Sequence, residues 1–328
     1  MNKAQALAIL ATVAILMLTI VGLLKPAMSQ SESTWVGGTI YIRADGSIEP
    51  SNAPIISSDN RTYIITSNIK IVYGNGIVIE RDNIILEGGG HTIQGAACCY
   101  GILLTNRVNI SIKNLVITNF TYGVYLETCS GTTIENNTIS NNSWYGIYMY
   151  SSSSNFIVSN TISNNSWYGI YMYSSSNNTI ENNTISNSGA GIHMYYSGNN
   201  EIKGNSFIYC GLSVIYSYEN IVINNTVNGR PLVYLEKVSG VEVTGEVGQV
   251  IVVRSENITI RNLDISNASI GIELLESKNI HIINNTISNN RWYGIVMGYS
   301  SNNEIRNNTI SNNSWAGIYM DSSSNNTI

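Results

Sequence analysis

Trp144, Trp167, Trp292 and Trp315 each stand two residues ahead of a glycine, and each opens a run in which large rings alternate with aliphatic side chains. Successive side chains of an extended strand point to opposite faces. Tyr125, Tyr148, Tyr150, Tyr171, Tyr173, His193, Tyr195 and Tyr319 therefore share one face, with the four tryptophans at the preceding corner. Rings with an apolar body and a polar tip suit exposed binding surfaces. Flat rings repeated at one strand step could stack on sugar rings. The same rows would also stabilise themselves through cross-strand pairs worth about 0.2–1 kcal/mol each, and both readings stay open. The expected ligand-contacting set is Trp144, Tyr148, Tyr150, Trp167, Tyr171, Tyr173, Tyr195, Trp292, Trp315 and Tyr319.

Other chemistry finds less support. Polysaccharide hydrolysis uses two carboxylates roughly 5–9.5 Å apart, but Asp45, Asp59, Asp82, Asp264 and Asp321 are scattered along the chain. Glu135 and Glu181 recur at equivalent places two repeats apart, as drift within the repeat would leave them. No catalytic residue is assigned. His91, His193 and His281 are far apart and not at ligand spacing. Met149, Met172, Met194, Met297 and Met320 share columns with Leu126 and Leu274, which marks them as core filler and not a metal-binding array. No metal and no cofactor is expected.

A repeat must position these rings. The phrase Asn137 to Tyr150 returns at Asn160 to Tyr173, so that Ile139 and Ile162 lie 23 positions apart. It recurs from Asn183, Asn285 and Asn308, with weaker copies around Ile117 and Ile265. A fixed period of this size marks a repeat architecture. Each unit holds three short β-type runs separated by Ser, Asn and Gly, residues that favour turns and tolerate left-handed backbone. Such runs are too short for helices, and nothing recurs at helical spacing. Three strands and three turns in about 23 residues form one rung of a parallel β-helix, climbing roughly 4.8 Å per rung. The expected fold is all-β, a right-handed parallel β-helix solenoid of about eleven rungs.

Residues 30–76 are expected to form an N-terminal cap region and residues 77–328 the β-helix, which stops partway through a rung as a truncated chain would, or one pairing end to end with another molecule. Thr226 to Gly248 breaks the pattern with a turn at Asn228-Gly229, a proline and a cluster of charges. It reads as an irregular rung that still stacks, or as a lateral site.

The chain has 328 residues, 43% hydrophobic and 11% charged, with net charge −5. That balance leaves no basic footprint for nucleic acid. In residues 1–29, Lys3 precedes an apolar run over 6–24 and a small-residue site at Ala27-Met28-Ser29. A cleaved secretory signal and a retained membrane-anchor helix both fit, and either places the remainder outside the membrane. The rung register keeps Cys98/Cys99, Cys129 and Cys210 apart, so buried or corner thiols are expected, with a strained vicinal bond the one alternative. Asn-x-Ser/Thr sequons recur at Asn60, Asn109, Asn119, Asn136, Asn141, Asn164, Asn177, Asn182, Asn224, Asn257, Asn267, Asn284, Asn307, Asn312 and Asn325, which an exporting, glycosylating host could modify.

Ile77 to Gly95, together with Tyr41 to Ser47, resembles the opening of archaeal-type secreted proteins of the NosD-like β-helix family. Asn228 to Tyr234 and Gly248 to Ile251 resemble that family's middle, so the resemblance covers roughly residues 37–328. It implies the β-helix fold and a domain named for carbohydrate binding and sugar hydrolysis, while the family name alone brings in copper maturation. The expectation is an exported, cell-surface protein that binds a carbohydrate or cell-envelope glycan without catalysis, or serves as a scaffold. A polysaccharide hydrolase or lyase, and a copper-maturation accessory, are the alternatives.

Overall fold

The computed structural model describes residues 33–328; the leader expected over 1–29, including the apolar run 6–24, lies outside them. The described residues form strands and turns without a helix, and so hold no helix long and apolar enough to cross a membrane. Strands pair in parallel at the sequence period, with Ile139 opposite Ile162 and Ile147 opposite Ile170. Each pairing brings identical side chains into contact, which is how a repeated phrase becomes a continuous core. The chain is a β-solenoid.

Three sheets wrap the first segment. One carries the ring-bearing strands from Ile40–Ile42 through Tyr145–Tyr150 to Leu212–Ile215, a second runs from Thr62–Ile65 to Ile221–Ile223, and the third from Thr34–Gly37 to Thr226–Val227. Residues 34–71 already contribute in-register strands to all three, while the short Ile48–Glu49 and Ile55–Ile56 strands pair antiparallel at the sheet ends. Ile147, Met149, Ile170, Met172, Ile192 and Met194 are fully buried between the sheets.

Asparagine does two jobs at the corners. Asn137, Asn160, Asn183, Asn205 and Asn225 form a buried ladder, in which each backbone N–H donates to the next side-chain carbonyl at 2.9–3.0 Å. The sequon asparagines sit one position earlier, in left-handed backbone with φ near 55° at Asn136, Asn182 and Asn224. Asn tolerates that conformation better than other non-glycine residues. These three are exposed, whereas the ladder beside them is sealed.

The irregular stretch is a junction. Thr226–Val227 and Arg230–Glu236 form an antiparallel hairpin around Asn228-Gly229, after which Arg230–Glu236 pairs in parallel with Gln249–Val253 and the sheet continues through Ile270–Leu275 to Ala316–Asp321. Reversing the strand direction exchanges the face on which the next core is built. Leu232, Ile251, Val253 and Leu275 pack into the first core, while Val250, Val252, Ile272 and Leu274 pack into a second. The stretch that the sequence marks as an irregular rung or a lateral site is thus where a second solenoid segment grows from the opposite side of a shared sheet.

Candidate site: an aromatic inner corner

The ring-bearing strands build an outer ladder. Tyr148 stacks on Tyr171 at 5.1 Å and 14° between planes, Tyr150 on Tyr173 at 5.5 Å, and Tyr173 on Tyr195 at 5.6 Å. Tyr145 and Tyr168 join them, stacked at 5.1 Å, although alternation from Ile147 would have turned both inward. The reason is the glycine between. A Cβ at Gly146 would lie 2.6 Å from the Gly169 carbonyl oxygen and 2.8 Å from the Ile162 side chain, so this position points into the core as Ile147 does. The alternation slips by one there, and Tyr145 is turned outward. Trp144 and Trp167 remain about half exposed, each leaning on the tyrosine that follows it.

The ladder tapers as it approaches the junction. Tyr148, Tyr171, His193 and Ser213 occupy one column, and Tyr145, Tyr168 and Ala190 another. The shrinking side chains make room for the second segment, whose own outward rings arrive at an angle. Trp292 packs edge-on against Tyr168 at 5.7 Å and against His193 at 6.0 Å. It stacks on Trp315 at 5.2 Å, while Tyr293 stacks on Tyr319 at 5.0 Å. Expected at an exposed corner, Trp292 is instead buried, with 8% of its surface accessible.

Between the two outer faces lies a cavity of 260 Å³ lined by Tyr168, His193, Ser213, Glu273, Trp292, Tyr293, Trp315, Tyr319 and Asp321, among others. Of the expected set, Trp292, Trp315 and Tyr319 meet here. Trp144, Tyr148, Tyr150, Trp167, Tyr171, Tyr173 and Tyr195 line no part of this cavity; Trp167 borders a second, shallower groove with Arg291, Trp292 and Trp315. Sequence reasoning missed Tyr168 and Tyr293 through the glycine slip. It also missed Ser213 and Glu273, which the junction alone brings together.

The floor of the corner is polar and buried. His193 stacks on Tyr168 at 4.6 Å, and burial pulls its pKa down to about 4, so the imidazole is neutral. Its Nδ1 and the Oγ of Ser213 are buried without a hydrogen-bond partner. Such groups are uncommon in folded proteins and call for an explanation. The Glu273 carboxyl accepts the Val214 N–H at 3.2 Å. Burial raises its pKa to about 8, outweighing the opposing effect of that bond. It belongs to a set of side chains closing the free edge of the Leu212–Ile215 strand. Ser269 accepts the Gly211 N–H at 2.8 Å, and Gln249 both accepts from Leu212 N–H at 3.0 Å and donates to its carbonyl at 2.7 Å. An unpaired edge would otherwise invite pairing with another chain.

Residues 29–242 match the family described as periplasmic copper-binding protein (NosD), and residues 233–328 match a right-handed β-helix region. The chain belongs to the NosD family. No curated protein matches it significantly. Among solved structures, the Dettilon tailspike protein is similar at 18% identity and TM-score 0.48, over 88% of this NosD-family chain and 61% of the tailspike. The catalytic domain of a GH87 α-1,3-glucanase in complex with nigerose follows at 16% and 0.45, over 89% and 63%. The Streptococcus pneumoniae surface protein and adhesin PfbA follows at 14% and 0.42, over 88% and 90%. The chain thus spans less than two thirds of the tailspike and glucanase chains.

The family description names copper, and the donors here do not fit a copper centre. Among the described residues no three His, Cys, Asp or Glu side chains converge as ligands. His281 Nδ1 is engaged by Glu304 at 2.9 Å, and Met149, Met172, Met194 and Met297 are sealed in the cores, whereas Met320, expected there with them, is exposed. Cys129 and Cys210 are buried singly. Cys98 and Cys99 lie 2.9 Å apart as free thiols, and among the described residues no third His, Cys, Asp or Glu donor joins them.

Proposed function

We propose that this NosD-family β-helix is an exported cell-surface protein that binds carbohydrate without cleaving it, and that the aromatic inner corner is its principal site. The observation that carries this reading is the convergence of two outward ring faces on buried polar atoms left without partners. Apolar walls with a few convergent polar groups are the usual make-up of a small-molecule site, and aromatic walls offer a sugar its C–H faces while the floor meets its hydroxyls. Along the outer ladder Tyr145 and Tyr148 stack on Tyr168 and Tyr171 much as the corner rings stack on theirs, but Tyr145, Tyr148 and Tyr171 line no part of the cavity. Much of that ladder therefore serves the solenoid itself, which supports a scaffold role for the shaft.

Hydrolysis is the second reading, because Glu273 and Asp321 both line the cavity. Their strands are two steps apart, with Glu273 opposite Val296 opposite Tyr319, and Asp321 two residues further on. That register puts their backbones roughly 12 Å apart, and both oxygens of the Glu273 carboxyl are turned to the Val214 N–H and not to Asp321. Binding is the reading the geometry favours.

The test is the full chain against soluble and insoluble polysaccharides, with bound protein and released reducing or unsaturated sugar read in the same wells. Retention without release, weakened by Trp315→Ala combined with Tyr319→Ala, is the expected result. Sugar release would make the protein an enzyme, and no retention on any glycan would leave the scaffold reading in its place.

A further inference from the structure

Resting on the carbohydrate reading, we infer that the inner corner selects an uncharged sugar ring, held singly at the end of a chain, and excludes uronates and other anionic sugars. Three observations carry this. The cavity lining includes Glu273 and Asp321 but no lysine or arginine. An anionic sugar would have to bury its carboxylate in a lining that offers no cation to offset the desolvation, with the Asp321 carboxyl at the rim. The unpartnered atoms make a complementary demand. A ring hydroxyl is both donor and acceptor, so it suits His193 Nδ1 in either tautomer and suits Ser213 Oγ, once these side chains, now sealed from solvent, turn toward the cavity. A carboxylate only accepts, and cannot serve an imidazole nitrogen that carries the lone pair.

Size sets the third limit. At 260 Å³ the cavity falls just below the roughly 300–1,000 Å³ typical of small-molecule pockets. That volume suits one ring on the floor, with the remainder of the chain leaving past the more exposed Trp315 and Tyr319. Trp292, packed edge-on against Tyr168 and His193, closes the inner end, so a chain cannot thread through. Recognition of a terminus follows.

The experiment titrates the full chain, by tryptophan fluorescence and calorimetry, with a neutral gluco-oligosaccharide and with its glucuronate-terminated counterpart of the same linkage and length. The neutral ligand should bind at least about ten-fold more tightly. Ser213→Ala should weaken it by about ten-fold, the loss of a hydrogen bond to a buried site, and Asp321→Lys should narrow the gap between the two ligands. Asp321 is exposed at the rim, so that second variant tests selectivity without disturbing the core. Equal or tighter binding of the glucuronate form would overturn the inference while leaving carbohydrate binding intact. Neutral binding unchanged in both variants would place the ligand on the outer ladder and overturn it too. Failure of both ligands, and of a wider glycan panel, would remove the carbohydrate reading with it.

Discussion

Glu273 links local burial to a property of the whole chain. Its pKa in the folded state, about 8, lies above the ordinary value of 4.5. An unfolded chain therefore releases this proton across a range where the folded chain keeps it. The contribution is fully present below pH 4.5 and is lost as pH rises through about 8. His193 works in the opposite sense: with its pKa lowered from 6.5 to about 4, stability is lost as pH falls through that window. Glu273→Gln should keep an acceptor for the Val214 N–H and flatten the alkaline limb, measured as urea midpoints from pH 5 to 9. An unchanged alkaline limb would show that the carboxyl does not titrate as its burial requires. A second residue-scale prediction concerns the glycine column. A Cβ at Gly169 would meet the Ile185 side chain at 2.5 Å and the Gly191 carbonyl oxygen at 2.6 Å, so Gly169→Ala should cost about 1–3 kcal/mol in denaturant titration. The same glycines explain why the outward face was only partly legible. Strict alternation places Tyr148 and Tyr171 correctly and hides Tyr145 and Tyr168, because the backbone slips by one residue where only hydrogen fits.

Among the elements, the corner ladders were readable as composition but not as division of labour. Asn160 accepts from the Asn137 N–H at 2.9 Å, and its Nδ2 donates to the Ile134 carbonyl at 2.8 Å. Asn160→Ala should leave these buried groups unpartnered at about 1–3 kcal/mol each. Asn164, one position before its own ladder residue and exposed with φ of 54°, should accept glycine with little loss, since glycine adopts that backbone freely. Thermal melts of the two variants give the comparison, and equal losses would contradict the assigned roles. The Asn228-Gly229 hairpin shows what a local signal leaves out. Asn-Gly announces a tight turn, yet nothing at the turn states that the core changes sides. The signal lay further on, in Val250-Ile251-Val252-Val253. An unbroken apolar run of this length is the mark of a strand buried on both faces, and all four residues are fully buried.

For the whole molecule, the shared sheet is what turns a repeat into a site. A single straight stack would present its rings to solvent in one open row. The reversal instead folds one row against another and closes the Leu212–Ile215 edge with Ser269, Gln249 and Glu273. Period and fold class were legible because they depend on spacing within one rung. The corner was not, because it depends on contacts between residues some 60 to 120 positions apart, such as Val214 with Glu273 and Tyr168 with Trp292. The account's central claim is that this corner, and not the open ladder, holds the ligand. The most direct measurement is a crystal structure of the full chain with the tightest-binding oligosaccharide from the glycan panel. The account predicts one sugar ring in the cavity lined by Tyr168, His193, Ser213, Trp292 and Tyr319, with hydroxyls toward His193 Nδ1 and Ser213 Oγ. A ligand lying along Tyr148, Tyr171 and Trp167, with the corner empty, would contradict it.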